Sequence, residues 1–283
     1  MRNFSPDGNG ILFLFLDEGR FWDKKRKRYS GQLEIAPKKY YFYANSNGVF
    51  LNMARFFFMV KLKHILYKGL LWFFGLSVFS VVFFKFVPVP FTPLMGIRVI
   101  ENKLDKKPIH FEHNWEPIEN ISMNLQKAVI ASEDGTFLRH HGFDFSAMQK
   151  AFQNNSNGKR IKGGSTISQQ TAKNVFLWQG RSYFRKALEA YFTVLIELIW
   201  GKERIMEVYL NSIEMGDGIY GAHAATQYWY GKDASSLTKM EAAGIAAILP
   251  NPRKFKASNS TAFINKRKAR IVRVMQHIGK ITY

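Results

Sequence analysis

The sequence contains no cysteine. That excludes a disulfide framework and any thiolate-held metal, and it leaves the chain free to work in an oxidising compartment. Acidic residues are also scarce: 21 Asp and Glu stand against 41 Lys and Arg in 283 residues, for a formal net charge of +20. Apolar surface, by contrast, is plentiful. Hydrophobic residues make up 47% of the chain, aromatics 16%, and there are 26 Phe. A chain of this composition buries enough surface to offset the entropy of folding, which excludes disorder. Its length admits one large domain or two small ones. The basic balance admits three partners: nucleic acid, a membrane surface or an anionic substrate. Residues 1–68 carry 13 basic and 5 acidic residues, a contribution of +8, and the remaining +12 lies beyond them. Two separate basic features therefore call for explanation.

From Gly69 to Phe84 the chain reads GLLWFFGLSVFSVVFF, sixteen residues without a charge. Crossing the hydrocarbon core takes about 20 apolar residues. The run approaches that length if Lys85 snorkels and the apolar sequence resumes behind it. Pro88 and Pro90 then end the helix. A buried core helix is the competing reading. Arg55, Lys61, Lys63 and Lys68 precede the run with no acid among them, so the positive-inside bias makes that end cytoplasmic and exports everything after residue 90. With no obvious small-residue cleavage site, 53–92 reads as a basic flank and a single anchor rather than a removed signal peptide. Residues 1–52 hold Phe13-Leu-Phe-Leu16, a basic run from Lys24 to Arg28 and scattered Gly and Asn, with no sustained period. They read as a cytoplasmic tail, or as an over-extended gene model with translation starting at Met53. A solvated tail is the first reading of the basic run, ahead of a site for anionic lipid or nucleic acid.

About 190 residues follow the anchor, enough for one well-buried domain, 93–283. Strand-like alternation is sparse and internal repeats are absent. Ile121, Leu125, Ala128, Val129 and Ser132 recur at helical spacing and lead into Glu133. Thr166-Ile-Ser-Gln169 has the form of a capping box and opens a second helix. A third is expected from about Ser182 to Trp200 and a fourth from Lys202 to Leu210. Thr238-Lys-Met-Glu241 is another capping box, opening a small-residue helix to Leu249 that Pro250-Asn251-Pro252 stops. The fold class is mostly α. The polar, glycine-containing stretch 154–164 reads either as a lid or as a plain surface loop.

Three segments offer chemistry. Glu133 and Asp134 are adjacent carboxylates at a predicted helix end, followed by Phe137 and His140. Mutual repulsion in such a pair favours one member as a general base, and a solvated acidic surface is the alternative. In Gly163-Gly164-Ser165-Thr166-Ile-Ser-Gln169-Gln170-Thr-Ala-Lys173-Asn174, glycines and hydroxyls precede a helix start, where backbone N–H groups receive anions. Gln169 and Lys173 lie four apart, as do Gln170 and Asn174, so Lys173 offers a point charge to a phosphate; an ordinary capped amphipathic helix also fits. Arg181, Arg185, Glu189 and Glu197 fall at multiples of four along a helix that is otherwise strongly apolar. Such a stripe is semi-buried, so its charges are either paired in a structural ladder or serve a ligand.

Taken in order, EDGTFLRHHG, GGSTISQQTAKN, RKALEA, KERIMEVYLN, GDGIYGAHAATQYWYGK and LTKMEAAGIAAILPNPRKF resemble the motifs of the family 51 glycosyltransferases, the peptidoglycan transglycosylases that polymerise lipid II. The resemblance covers roughly residues 110–275. With no room left for a transpeptidase domain, it is to the monofunctional members rather than to bifunctional class A penicillin-binding proteins. It implies a lysozyme-like helical glycosyltransferase domain with a small membrane-proximal jaw, preceded by one transmembrane helix. It further implies that Glu133 is the catalytic base, with Asp134, Phe137 and His140 as companions. Ser165, Thr166, Gln169, Gln170, Lys173 and Asn174 match the motif near the donor sugar and pyrophosphate. Arg185 and Glu189 match the third motif, with Glu189 the second carboxylate. Glu207, Tyr209 and Asn211 match a fourth, where the residues alone read as structural helix. Met206, Ser168 and Tyr228-Trp229-Tyr230-Gly231 are small departures, and Arg267 to Met275 follows the last motif only loosely.

Glycosyl transfer from a lipid pyrophosphate needs a base on the acceptor side and cations on the leaving group. Glu133 fits the first role and Lys173, Arg181 and Arg185 the second, with a divalent ion (Mg or Mn) compatible at the phosphates. The expected partners are lipid II, the growing glycan strand, the membrane crossed once, and other wall-synthesis and division proteins. Nucleic acid is not expected. The implied location is the inner membrane, N-terminus cytoplasmic and domain outside. A glycan-cleaving enzyme of the lysozyme or lytic type is the runner-up, followed by a non-enzymatic tethered module. Cleavage calls for an acid kept protonated in an apolar pocket and has no use for clustered cations.

Overall fold

In a computed structural model, residues 33–35, 38–40, 49–156, 164–180 and 182–283 are described. Most of the tail 1–52, most of the stretch 154–164 and Arg181 therefore lie outside the described residues. The chain divides into two compact units, residues 1–75 and 76–283. Within the first, β1 (Leu33–Ile35) pairs antiparallel with β2 (Lys38–Tyr40).

Helix α1 (Val49–Phe86) is 38 residues long and contains one stretch, Phe56–Phe86, long and apolar enough to cross a membrane. Its 31 residues rise about 46 Å at 1.5 Å each, more than the roughly 30 Å of a hydrocarbon core. Only 11% of its most apolar window is buried, which separates it from a core helix. The helix begins upstream of the charge-free run because Arg55, Lys61, Lys63 and Lys68 are all good helix formers. It passes through Lys85 and ends before Pro88.

The second unit is built of helices whose starts are written in their caps. α2 (Pro93–Leu104) has Thr92 as N-cap with Pro93 in its first turn, and α3 (Met123–Glu133) has Ser122. α4 spans Phe145–Ser156. α5 (Ile167–Phe176) and α9 (Lys239–Ile248) open with the expected capping boxes, Thr166 with Gln169 and Thr238 with Glu241. α6 (Tyr183–Ile199) starts at Ser182. Gly201, at φ +78°, separates it from α7 (Gly201–Ser212). α8 (Gly221–Tyr230) and α10 (Ala262–Met275) complete the set. A small sheet in the order β3-β5-β4 (Glu112–His113, Ile219–Tyr220, Glu214–Gly216) has no counterpart in the sequence reading, since strands of two or three residues are too short to alternate visibly.

Two packings position the site. α3 lies against α9 and α10. The buried Ala242, Ala243, Ala246 and Ala247 of α9 leave room for Leu125, Ala128 and Val129 of α3. A Cβ at Gly244 would sit 2.3 Å from the Tyr230 hydroxyl, so that turn tolerates no side chain. α5 lies against α6 and α7, with Ile167, Ala172, Ile196, Ile205 and Met206 in the shared core.

The last turns of α1 belong to this same unit. Val81 is buried, Ser77 Oγ lies 2.6 Å from the Tyr191 hydroxyl, and Trp200 Nε1 donates to the Val81 carbonyl at 2.7 Å. Arg204 donates to the carbonyls of Phe84 (2.8 Å) and Val87 (2.7 Å) and is itself paired with Glu207 at 2.7 Å. One guanidinium thus satisfies orphan carbonyls at the helix end. Arg204→Ala is expected to cost about 2 kcal/mol and to lower the thermal midpoint of the detergent-solubilised chain by roughly 4–8 °C. An unchanged midpoint in a melting curve would show that this junction is not held by Arg204.

Candidate active site

The two adjacent carboxylates at the end of α3 part company. Glu133 is the last helical residue and Asp134 the C-cap, in an extended conformation at φ −157°. That change of backbone direction sends Asp134 inward. Its Oδ2 accepts from the backbone N–H of Ile167 at 3.0 Å and faces His140 Nε2 at 2.9 Å. Because a carboxylate only accepts, Nε2 carries the histidine proton. Ile167 is the first residue of α5, so the Asp134 charge sits where the helix dipole favours it. Phe137 is fully buried beside His140, with the Lys202 ammonium 4.6 Å above its ring.

Glu133 stays partly exposed, with 15% of its side chain accessible. Ser132 Oγ donates to its Oε1 at 3.0 Å and Gln170 Nε2 to its Oε2 at 3.3 Å. Arg267 Nη2 of α10 lies 3.8 Å from Oε1 and donates to Ser132 Oγ at 3.2 Å. Every one of these neighbours is a hydrogen-bond donor or a cation. Gln170 also accepts from the Tyr209 hydroxyl at 3.3 Å.

Helix α5 joins this end to a second cluster. Lys173 follows Gln170 by three residues, about 4.5 Å along the same face. Burial holds its ammonium pKa below the ordinary lysine value; Glu189 opposes that shift, and Arg185 and Lys186 add to it. Arg185 Nη1 donates to Glu189 Oε2 at 2.7 Å, and Lys186 Nζ to Glu189 Oε1. Arg185 Nε is held on the Gly180 carbonyl at 2.8 Å. Glu189 is 3% exposed, so both its oxygens are occupied by cations in a nearly dry setting. The predicted semi-buried stripe is present at Arg185 and Glu189, where the two charges are paired. Glu197 takes different partners, Lys202 at 2.7 Å and Ser168.

The remaining expected residues are placed as follows. The Thr166 hydroxyl accepts from Gln169 N and donates to the Gly142 carbonyl at 2.6 Å. Gly142, at φ +87°, lies so close to α6 that a Cβ would stand 2.8 Å from Thr193 Cγ2. Gln169 Oε1 closes the capping box on Thr166 N at 3.0 Å, Ser165 is exposed, and Asn174 is buried at 4% exposure. Among the described residues, Asn174 makes no hydrogen bond to either Glu133 or Glu189. Asn211 and Glu207 serve structure: the Asn211 amide bonds the backbone of Glu116 and Glu207, and Glu207 holds Arg204.

Sequence reasoning missed Arg267, Lys186 and Ser132. Arg267 sits in a run with four other basic residues from Lys266 to Arg273, and nothing in the run marks which one turns inward. Among the described residues no three His, Asp or Glu side chains converge as metal ligands. The donor set at Glu189, already taken by Arg185 and Lys186, does not fit a protein-held divalent ion.

A family model described as Transglycosylase matches residues 101–276. The chain is 54% identical over 194 residues to a biosynthetic peptidoglycan transglycosylase of Caulobacter vibrioides, an alignment covering 69% of this chain and 82% of that one. It is 50% identical over 216 residues to the protein of that name from Pseudomonas putida, covering 76% and 92%. With the Pseudomonas syringae pv. tomato protein of that name it shares 49% over 218 residues, covering 77% and 92%.

Asp134 is the joint between α3 and α5. Asp134→Ala strands the Ile167 N–H and removes the partner of His140, and is expected to cost about 3 kcal/mol in denaturant unfolding. A loss below about 1 kcal/mol would show that this joint is dispensable.

Proposed function

Because the chain belongs to the transglycosylase family and is a peptidoglycan glycosyltransferase of cell-wall biosynthesis, we propose that its substrate is lipid II and that it extends β-1,4 glycan strands by inverting transfer. The observation that supports this most directly is the geometry of α5: one face carries Gln170 to a donor-surrounded carboxylate and Lys173 to a cation cluster. In this reading Glu133 takes the proton of the acceptor GlcNAc 4-hydroxyl as that oxygen attacks the donor's anomeric carbon. The bond to the α-linked pyrophosphate breaks on the opposite face, and its electron pair leaves with undecaprenyl pyrophosphate. Lys173, Arg185 and Lys186 meet the charge that develops there. Glu189 orients Arg185 and Lys186, and Asp134 with His140 holds Phe137 and the start of α5 in place. Thr166, Gln169, Ser165 and Asn174 shape the donor side, and no step passes through a divalent ion.

The same reading places the chain in the membrane. The apolar helix would cross the inner membrane once, with 1–52 cytoplasmic, 53–92 as flank and anchor, and 93–283 outside. Tethering confines enzyme and a lipid-borne substrate to one surface and raises their effective concentration. Other wall-synthesis proteins would act beside it.

Glu133→Gln is expected to abolish polymer formation from lipid II while leaving the far-ultraviolet circular dichroism and melting curve unchanged. Glycan synthesis by that variant would move the base elsewhere. Release of soluble fragments from isolated sacculi, with no polymer from lipid II, would favour the cleaving enzyme instead. A second expectation concerns pH. A lysine whose pKa is held low by burial loses its charge earlier as pH rises, so KM for lipid II should climb on the alkaline side. Lys173→Arg should move that climb to higher pH, since guanidinium keeps its proton. An identical KM–pH curve for the two proteins would remove Lys173 from pyrophosphate binding.

A further inference from the structure

Tyr209, on α7, has no exposed surface and takes no part in the chemistry above. Its hydroxyl lies 3.3 Å from Gln170 Oε1, and Gln170 Nε2 lies 3.3 Å from Glu133 Oε2. The far end of this chain sets its direction. A carboxylate can only accept, so the amide must present its NH2 to Glu133. The amide oxygen then faces Tyr209, and the bond between them needs the hydroxyl proton. That proton is secure: burial, with the charges of Glu133 and Asp134 adding to it, pushes the phenol pKa well above its ordinary value. Among the described residues Gln170 is the acceptor for this hydroxyl.

We infer that Tyr209 is a positioning residue for glycosyl transfer, anchoring the Gln170 amide oxygen so that the NH2 is held on Glu133 and fixes the rotamer of the base. The inference rests on the reading of Glu133 as the base and adds a residue to it. Without the hydroxyl, the amide gains nothing at its Tyr209 end from either orientation. Held then only through its NH2, the amide is free to swing off the Glu133 carboxylate. Glu133 is then drawn to its remaining neighbours, Ser132 and the Arg267 guanidinium on α10, away from the α5 side. Substrate binding uses other groups, so the effect falls on turnover. A displacement of about 1 Å at a reacting group is enough to cost up to a hundredfold in rate.

The test is a double-mutant cycle on the full-length chain in detergent with lipid II as substrate, using Tyr209→Phe, Gln170→Met and the pair. Tyr209→Phe is expected to lower kcat about tenfold with KM within twofold. In the Gln170→Met background the same change should produce no further fall, because the hydroxyl acts through the amide. Wild-type kcat in Tyr209→Phe, an effect confined to KM, or a fall of equal size in both backgrounds would each overturn the inference. The last of these outcomes also exposes simple misfolding, which removes active enzyme regardless of residue 170. Glu133→Gln run alongside separates the two failures. If it still polymerises, the base is misassigned; if it is inactive while Tyr209→Phe keeps full kcat, only the positioning role fails.

Discussion

One carboxylate joins the two halves of the cleft. Asp134 accepts from the first N–H of α5 and from His140, so the C-terminus of α3 and the N-terminus of α5 share a buried ionic hydrogen bond. Glu133, Gln170 and Lys173 in the reading above all hang from those two helix ends. Glu133 is one residue from the joint on α3. Gln170 is three residues from it along α5, and Lys173 six. With the joint fixed, the rigid pitch of α5 sets the spacing between the carboxylate and the cations. The strength of the joint comes from its burial: Asp134 is 6% exposed, which leaves water little access to its hydrogen bonds.

The second carboxylate works differently from the first. Glu133 is partly exposed, with neutral donors at both carboxylate oxygens and one guanidinium nearby. Glu189 is enclosed, with each oxygen held by a cation of its own helix. An anion approaching Arg185 and Lys186 therefore meets side chains already ordered, and the entropy of fixing two long cations has been met by folding. Burial of Lys173 beside them adds a cation whose charge is maintained against desolvation.

Much of this was legible in the residues. The capping boxes at Thr166 and Thr238 announced α5 and α9 because the S/T-x-x-E/Q spacing has a direct hydrogen-bond meaning. Arg185 and Glu189 announced a semi-buried stripe because charges on an otherwise apolar helix have few alternatives, and the structure pairs them. Glu197 did not belong to that stripe. It turns to Ser168 and Lys202, and four-residue spacing cannot say which of two neighbouring helices a side chain will meet. Tyr209 looked like one more apolar position of α7, since its value lies in a hydroxyl direction that only the packing of α7 on α5 creates. Arg267 was hidden among its basic neighbours for the same reason. The three-stranded sheet was hidden by brevity, and α2, α4, α8 and α10 by the absence of an S/T-x-x-E/Q spacing at their starts.

The junction between the apolar helix and the domain has an asymmetry in what each side must keep. Trp200 and Arg204 grip the helix through the carbonyls of Val81, Phe84 and Val87. A carbonyl is the same whatever side chain its residue bears. The final turns of the helix are thus free to exchange one apolar residue for another, provided the small inward positions at Ser77 and Val81 still fit. The domain has no such freedom, because an indole N–H and a guanidinium fork have no substitutes of equal reach. Fusing a foreign apolar helix onto this domain should accordingly be easier than moving this helix onto a foreign domain.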